Sequence, residues 1–308
     1  MCLMKVIECV PNISEGRNSE TVAMLAEVIS KTDGIKLLNV NSDTDHNRSV
    51  MTFIGSPETI INGAVHLCQK ALALVDMRFH EGIHPRMGAI DVVPFIPLGD
   101  ATLADAVSVA RCFGHIVAGK MALPVYFYGD AALREERRNL AHVRRGGYEA
   151  LSVKLRQESW RPDAGEPVFH PQKGAIAVGA RMPLIAFNVN LNTTNLELAK
   201  RIASSIRTSS GGFAEVMALG LFLKSRRCVQ VSINLTNYKK TSLKTVYDRI
   251  SELAAHDDVT VLHSELIGLL PREAMKGVAP GYLNLPEFNE VQFIEFHLER
   301  YLCEAGIH

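Results

Sequence analysis

Residues 80–86 place two histidines, a glutamate and an arginine on one short segment, His80-Glu81-Gly82-Ile83-His84-Pro85-Arg86. The first five satisfy HExxH, the pattern in which two histidines one helical turn apart ligate zinc and the glutamate acts as general base. That chemistry needs a helix, and the local sequence argues against one. Gly82 weakens a helix interior, Pro85 biases His84 away from the α region, and no third ligand follows at a recognised spacing. On a loop the same residues have another use. An imidazole titrating near ~6.5 can take a proton and return it, and loops on a rigid scaffold are where such groups are displayed. Pro85-Arg86-Met87-Gly88 reads as a tight turn into the apolar run IDVVPFIP at 90–97. His84 is then either a reactive group at the mouth of a strand or a histidine that caps the core.

A second match, GHIVAGKM at 114–121, has the phosphate-loop spacing GxxxxGK, with Met121 where Ser or Thr would hold magnesium. A helix precedes it and the strand PVYFY (124–128) follows, the reverse of a phosphate loop's setting. Gly119 is therefore expected as a helix C-cap, with Lys120 near the last carbonyls. Cys2, Cys9, Cys68, Cys112, Cys228 and Cys303 contain no CxxC and no metal-ligand spacing. They are expected as buried small hydrophobes in a reducing compartment.

Apolar periodicity supplies the frame. Strands are expected at 4–10, 35–40, 49–55 and 90–97, with helices at 19–31 and 57–77, in the order β-α-β-β-α-β. A helix at 102–119 and the strand at 124–128 extend this half, and charged helical sequence runs on to Trp160. The order recurs with strands at 184–191, 216–223, 228–235 and 259–263 and helices at 196–207 and 242–255. Between the halves, WRPDAGEPVFHPQKG (160–174) is rich in Pro and Gly and is expected as an ordered connector. The fold class expected is α/β, of the α+β sandwich type: two ferredoxin-like β-α-β-β-α-β subdomains, 1–175 and 176–308, with a ligand cleft between them. In 308 residues, 33 Lys+Arg balance 33 Asp+Glu. Zero net charge removes the electrostatic argument for nucleic acid or an anionic membrane as partner. No apolar run is long enough to span a bilayer, and MCLMKVIECVPN lacks signal-peptide anatomy, so a cytoplasmic protein is expected.

Five segments go further: ECVPNISEGRN (8–18), DHNRSVMTFIG (45–55), HPRMGAIDVVPFIP (84–97), PVYFYGDAA (124–132) and WRPDAGEPVFHPQKGAIAVGARMPLIAFNVNL (160–191). Collinear and spread over nearly the whole chain, they resemble the glutamate formimidoyltransferase family, whose formiminotransferase module stands alone in many bacteria and is fused to a cyclodeaminase in animals. The resemblance implies transfer of a formimino group from N-formimino-L-glutamate to N5 of tetrahydrofolate, as in histidine degradation. It implies tetrahydrofolate as co-substrate, no metal, two α/β subdomains with folate between them, and a homodimer. It marks His84, before Pro-Arg-Met-Gly, as the catalytic histidine. It marks the segment Gly165, Glu166, Pro167, Val168, Phe169, His170, Pro171, Gln172, Lys173, Gly174 as folate-contacting.

Both substrates carry carboxylates, so arginines are expected nearby, since a guanidinium binds a carboxylate through two parallel hydrogen bonds. Arg48 and Arg86 are the candidates, each with a structural role as its alternative. Asp45, His46 and Asn47 are expected only to shape their loop. His80 either orients His84 or lies on the surface. Phe169 either stacks on the pterin or plugs an interface, and His170 and Lys173 either meet glutamate-tail carboxylates or face solvent. The family loop reads His-Lys-Gly-Glu-His-Pro-Arg-Met-Gly, whereas Glu81 and Ile83 replace its Lys and Glu here, and Asn41 stands where the animal enzymes have Asp. Moving a carboxylate changes the charge an imidazole feels, so the formimino donor is less fixed than the folate, and formiminoglycine is an alternative. Other readings are ATP-dependent processing of 5-formyltetrahydrofolate, a non-catalytic folate binder, and the HExxH zinc hydrolase.

Overall fold

Side-chain caps start most of the long helices. Asn18 accepts the Thr21 N–H at 3.0 Å, Ser56 the Thr59 N–H at 3.2 Å, and Thr102 forms a reciprocal capping box with Asp105. The computed structural model describes residues 5–304. In its first part the order is β1 (Lys5–Cys9), β2 (Asn12–Ile13), α1 (Ser19–Ser30), β3 (Ile35–Asp43), β4 (Arg48–Gly55), α2 (Pro57–Leu74), β5 (Ile90–Gly99), α3 (Leu103–Met121), β6 (Val125–Gly129), α4 (Leu140–Val143), α5 (Leu151–Lys154) and β7 (Ile176–Ala180). β8 (Ile185–Leu191), α6 (Leu196–Ile206), β9 (Val216–Leu223), β10 (Cys228–Leu235), α7 (Leu243–Ala255), β11 (Val261–Ile267) and α8 (Ile294–Glu304) follow.

The chain forms two units, dividing after Arg181. In the first, β1 and β2 lie end to end between β4 and β5, antiparallel to both, and β3 pairs outside β4. Beyond β5 come β7 and then β6, all three parallel. Helices α1, α2 and α3 bury their apolar stripes on one face of this seven-stranded sheet, with Leu25, Ile29, Leu67 and Phe113 against Phe53, Phe95 and Phe127. On the other face, at the β5–β7–β6 end, Val143, Leu151 and Leu155 pack on Val92, Tyr126 and Ala177. The second unit is a four-stranded antiparallel sheet in the order β11-β8-β10-β9, with a separate core of Phe187, Val231 and Ile233 against Leu198, Ile202 and Ile250. In both units the first strand sits between the third and the fourth.

Several expectations change. Strand β7 was not foreseen. It pairs with β5 and β6, so the first unit runs through Arg181 and not to 175. The 160–174 connector therefore lies inside the first unit: Val125 N–H donates to Ala164 C=O at 2.9 Å, and Ala89 N–H to Lys173 C=O at 2.9 Å. The charged stretch after β6 is no continuous helix. It breaks into short turns, with Gly146 and Gly147 at φ 80° and 62°. The 114–121 match lies within α3 as expected of a helix, but the left-handed cap is Ala122 at φ 54°, not Gly119. Lys173 meets the terminal carbonyl, with its Nζ 3.0 Å from Met121 O. Cys9, Cys68 and Cys228 are buried as expected, Cys112 and Cys303 are exposed, and Cys2 lies outside the described residues. Among the described residues no helix is long and apolar enough to cross a membrane.

Candidate active site

The β3–β4 turn is the seat of the site. Asp43 Oδ1 accepts the His46 N–H at 2.8 Å, and Asn47 takes the left-handed conformation at φ 46°, which asparagine tolerates well. The Asn47 side chain then ties three segments together. Its Oδ1 accepts the Gly16 N–H at 3.0 Å, and its Nδ2 donates to Glu81 C=O at 2.9 Å. The segment 80–84 docks on this turn, with Ile83 N–H donating to Asp45 C=O at 3.3 Å. It is not helical, so the HExxH histidines do not share a helix face. Among the described residues no three His, Cys, Asp or Glu side chains gather as a metal set.

His84 is partly buried in a small pocket shared with His46, Asn47, Arg48, His80 and Asp91. Its Nδ1 lies 2.8 Å from Pro85 C=O. A carbonyl only accepts, so Nδ1 carries the proton and a neutral ring leaves Nε2 bare. Burial, and then the neighbouring Arg48, Arg144 and His46, hold the His84 imidazole well below the usual histidine range. The site thus presents an unprotonated base at neutral pH.

Cationic groups crowd this base. Burial, with Arg144 adding to it, pushes the Arg48 guanidinium down to about 10, against the opposing pull of Asp91 and Asp43. Arg48 Nε is buried and donates to no described group. Arg144 pairs with the buried Asp91, which also accepts the Met87 N–H at 3.0 Å. Asp91 is thereby engaged by Arg144, and Arg48 keeps a donor for an incoming anion.

The other two candidates are structural in this arrangement. His80 Nε2 donates to Asn47 C=O at 2.9 Å, and its Nδ1 accepts from Arg86 Nε at 3.1 Å. Both ring nitrogens are committed, and burial lowers its pKa. Arg86 also pairs with Glu149 at 2.7 Å and accepts the Tyr148 N–H on its carbonyl at 2.8 Å. His80 and Arg86 brace the loop. The structure brings all four sequence candidates (His84, Arg48, His80 and Arg86) together and adds Arg144 and Asp91. Asp91 had one visible signal, a carboxylate inside an apolar strand; Arg144 had none.

The Gly165–Gly174 segment joins the same region through backbone. Gly88 and Gly174 bridge the two loops, and a Cβ on Gly174, at φ 74°, would lie 2.3 Å from Met87 O. Tyr148 Oη donates to Pro171 C=O at 2.5 Å, and its ring lies 5.6 Å from that of Phe169. Lys173 is drawn to the α3 terminus, while Glu166, Val168 and Gln172 are exposed. Gly174→Ala is expected to cost at least about 1–3 kcal/mol, because both conformation and contact are violated; thermal unfolding of the variant measures it.

Two family comparisons fit this anatomy. The N-terminal subdomain of the formiminotransferase domain matches residues 6–181, and the formiminotransferase domain matches 186–299. The chain belongs to the formiminotransferase family. The first match ends where the first unit ends, at Arg181. Among family members, the chain is 42% identical over 297 residues to the glutamate formimidoyltransferase of Streptococcus pyogenes serotype M1, covering 96% of this chain and 99% of that one. It is 42% identical to the Thermoplasma acidophilum glutamate formimidoyltransferase, covering 96% and 98%. It is also 42% identical to the formimidoyltransferase-cyclodeaminase of Gallus gallus, covering 91% of this chain and 53% of that longer family member.

Proposed function

We propose that this chain transfers the formimino group of N-formimino-L-glutamate to N5 of tetrahydrofolate, releasing L-glutamate and 5-formiminotetrahydrofolate. The end-to-end likeness to two glutamate formimidoyltransferases carries this reading. The pocket supports it. N5 attacks the amidine carbon and gives a tetrahedral intermediate. The bare Nε2 of His84 takes the proton that N5 loses and hands it to the departing glutamate nitrogen. Arg48, with its unpartnered Nε, is the residue placed to meet a substrate carboxylate. Gly165–Gly174 is read as the folate-contacting segment, through its exposed side chains and backbone. Each unit is read as a ferredoxin-like β-α-β-β-α-β layer, since the first strand lies between the third and fourth in both. On the family resemblance, the enzyme works without metal as a cytoplasmic homodimer.

The test is turnover of tetrahydrofolate with N-formimino-L-glutamate, without ATP or metal, followed by acid conversion to the absorbing 5,10-methenyl form. Absence of turnover in protein that binds tetrahydrofolate would reject the glutamate donor, and formiminoglycine would then be the donor to try, given Ile83 in the loop. The pH profile gives a second check. A base must be unprotonated, and the His84 imidazole is held below its ordinary value, so it stays competent as pH falls. The acid limb of kcat/KM is expected below the ordinary histidine value of ~6.5. A limb centred above it would sink the assignment of His84 as a depressed base.

A further inference from the structure

The hydrogen bond from His84 Nδ1 to Pro85 C=O selects the tautomer, yet one bond leaves a ring free to rock about it. A second contact restrains that motion. The His46 and His84 rings meet edge to face, with centroids 5.7 Å apart and planes at 88°. His46 is 7% exposed, and Asp43 holds it from two sides: Oδ1 accepts the His46 N–H at 2.8 Å and lies 3.3 Å from Nδ1. The His84 loop is pressed onto the same turn. A Cβ on Gly82 would lie 2.3 Å from His46 O, so only glycine lets the loop approach so closely.

We propose that His46 is a positioning residue: its ring, anchored by Asp43, sets the tilt of the His84 imidazole and so the direction in which the bare Nε2 points. The inference rests on the proposed transfer only in so far as His84 is its acid–base group. Aromatic pairs favour such edge-to-face geometry, and small misplacements of a reacting group cost rate steeply. The charged and titratable groups around His84 are Arg48 on β4, Arg144 after α4, Asp91 on β5, Asp43 on the turn, and His80 and Arg86 on its own loop. His46 is one of the three neighbours that depress the His84 imidazole, after Arg48 and Arg144.

Two substitutions separate ring from polarity. His46→Gln keeps a hydrogen-bonding group for Asp43 and loses the ring; His46→Phe keeps a ring and loses the polar link. His46→Gln is expected to lower kcat about tenfold, with KM for both substrates within about twofold of wild type. His46→Phe is expected to restore kcat to within about threefold. In both, the acid limb of kcat/KM and the His84 ring titration, followed by 15N NMR, are expected to move up, because a depressing neighbour is gone. The opposite ranking, Gln active and Phe inactive, would mean that His46 serves only the polar turn, and would overturn the proposal. A raised KM at unchanged kcat would overturn it too, since His46 would then touch substrate. If the wild type transfers no formimino group, the ring spectra decide alone. An unmoved His84 titration in both variants refutes the positioning, and a moved one upholds it while the transfer reading falls. Should His46→Gln not fold, His46→Leu, also without a ring, takes its place in each comparison.

Discussion

Replacing His84 by alanine is expected to lower kcat about 10²–10⁴-fold, the usual contribution of a general acid–base group. Fold and tetrahydrofolate affinity should change little. The only hydrogen bond the His84 ring makes is to the carbonyl of its own neighbour, Pro85, at 2.8 Å. That carbonyl lies on an exposed residue and can turn to water when the ring is removed. The loop itself is held by other groups: Asn47 at Glu81 C=O, Asp45 C=O at Ile83 N–H, and the His80–Arg86 pair. Steady-state kinetics with direct folate binding separates the two effects. A loss of kcat smaller than about tenfold would mean that another group moves the proton. A loss of folate binding equal to the loss of turnover would mean that His84 holds substrate and does not act on it.

Arg137→Met is expected to destabilise the protein by about 3–5 kcal/mol, the range for removing one partner of a buried ion pair. Arg137 and Asp163 are only 1% and 3% exposed at their side chains and meet at 2.6 Å. The other guanidinium nitrogen donates to Arg161 C=O at 2.7 Å and Ser159 C=O at 3.3 Å, and the group lies 5.0 Å from the Tyr126 ring centroid. Methionine fills much of the volume but donates nothing. It leaves a carboxylate in the core that retains only the Phe127 N–H, at 2.8 Å. Urea unfolding measures the cost. Adding Asp163→Leu should recover part of it, because an apolar pair leaves no stranded charge. A loss below about 1 kcal/mol would show that water or a relaxed neighbour satisfies Asp163. Because Arg137 fixes residues 159–163, the variant that survives should also bind folate more weakly, through the loosened segment that follows.

Elements with a local signature were legible. Asn18, Ser56, Asn195 and Ser242 cap helices where an apolar stripe begins, and β9 and β10 alternate cleanly enough to bound them. Strand β7 has no such signature. Its residues IAVGA are buried on both faces, so no alternation marks them, and they follow a stretch whose prolines and glycines read as a link. What makes them a strand is their parallel neighbours on β5 and β6, which local pattern does not carry. The site divides in the same way. His84 and Arg48 stood in recognisable strings. Arg144 acquires meaning only from Asp91, 53 residues earlier in the chain. Arg86 carried the right charge for a substrate carboxylate, yet its nitrogens are spent on His80 and Glu149. Donor capacity already used inside the protein is invisible to residue type.

The insertion of β7 between β5 and β6 also sets an order of events during synthesis. β6 pairs with β7 alone, so when Val125–Gly129 leaves the ribosome it has no neighbour to join. Some 46 residues must follow before Ile176 appears. Until then the nascent chain carries an unpaired apolar strand and, at β5, an open parallel edge, the kind of surface that recruits the wrong partner. The loop bearing His84 waits as well, because Lys173 and Gly174 complete its backbone bonds. Catalytic competence in the first unit is therefore a late event in its biogenesis, acquired only when its last strand is threaded into the middle of the sheet.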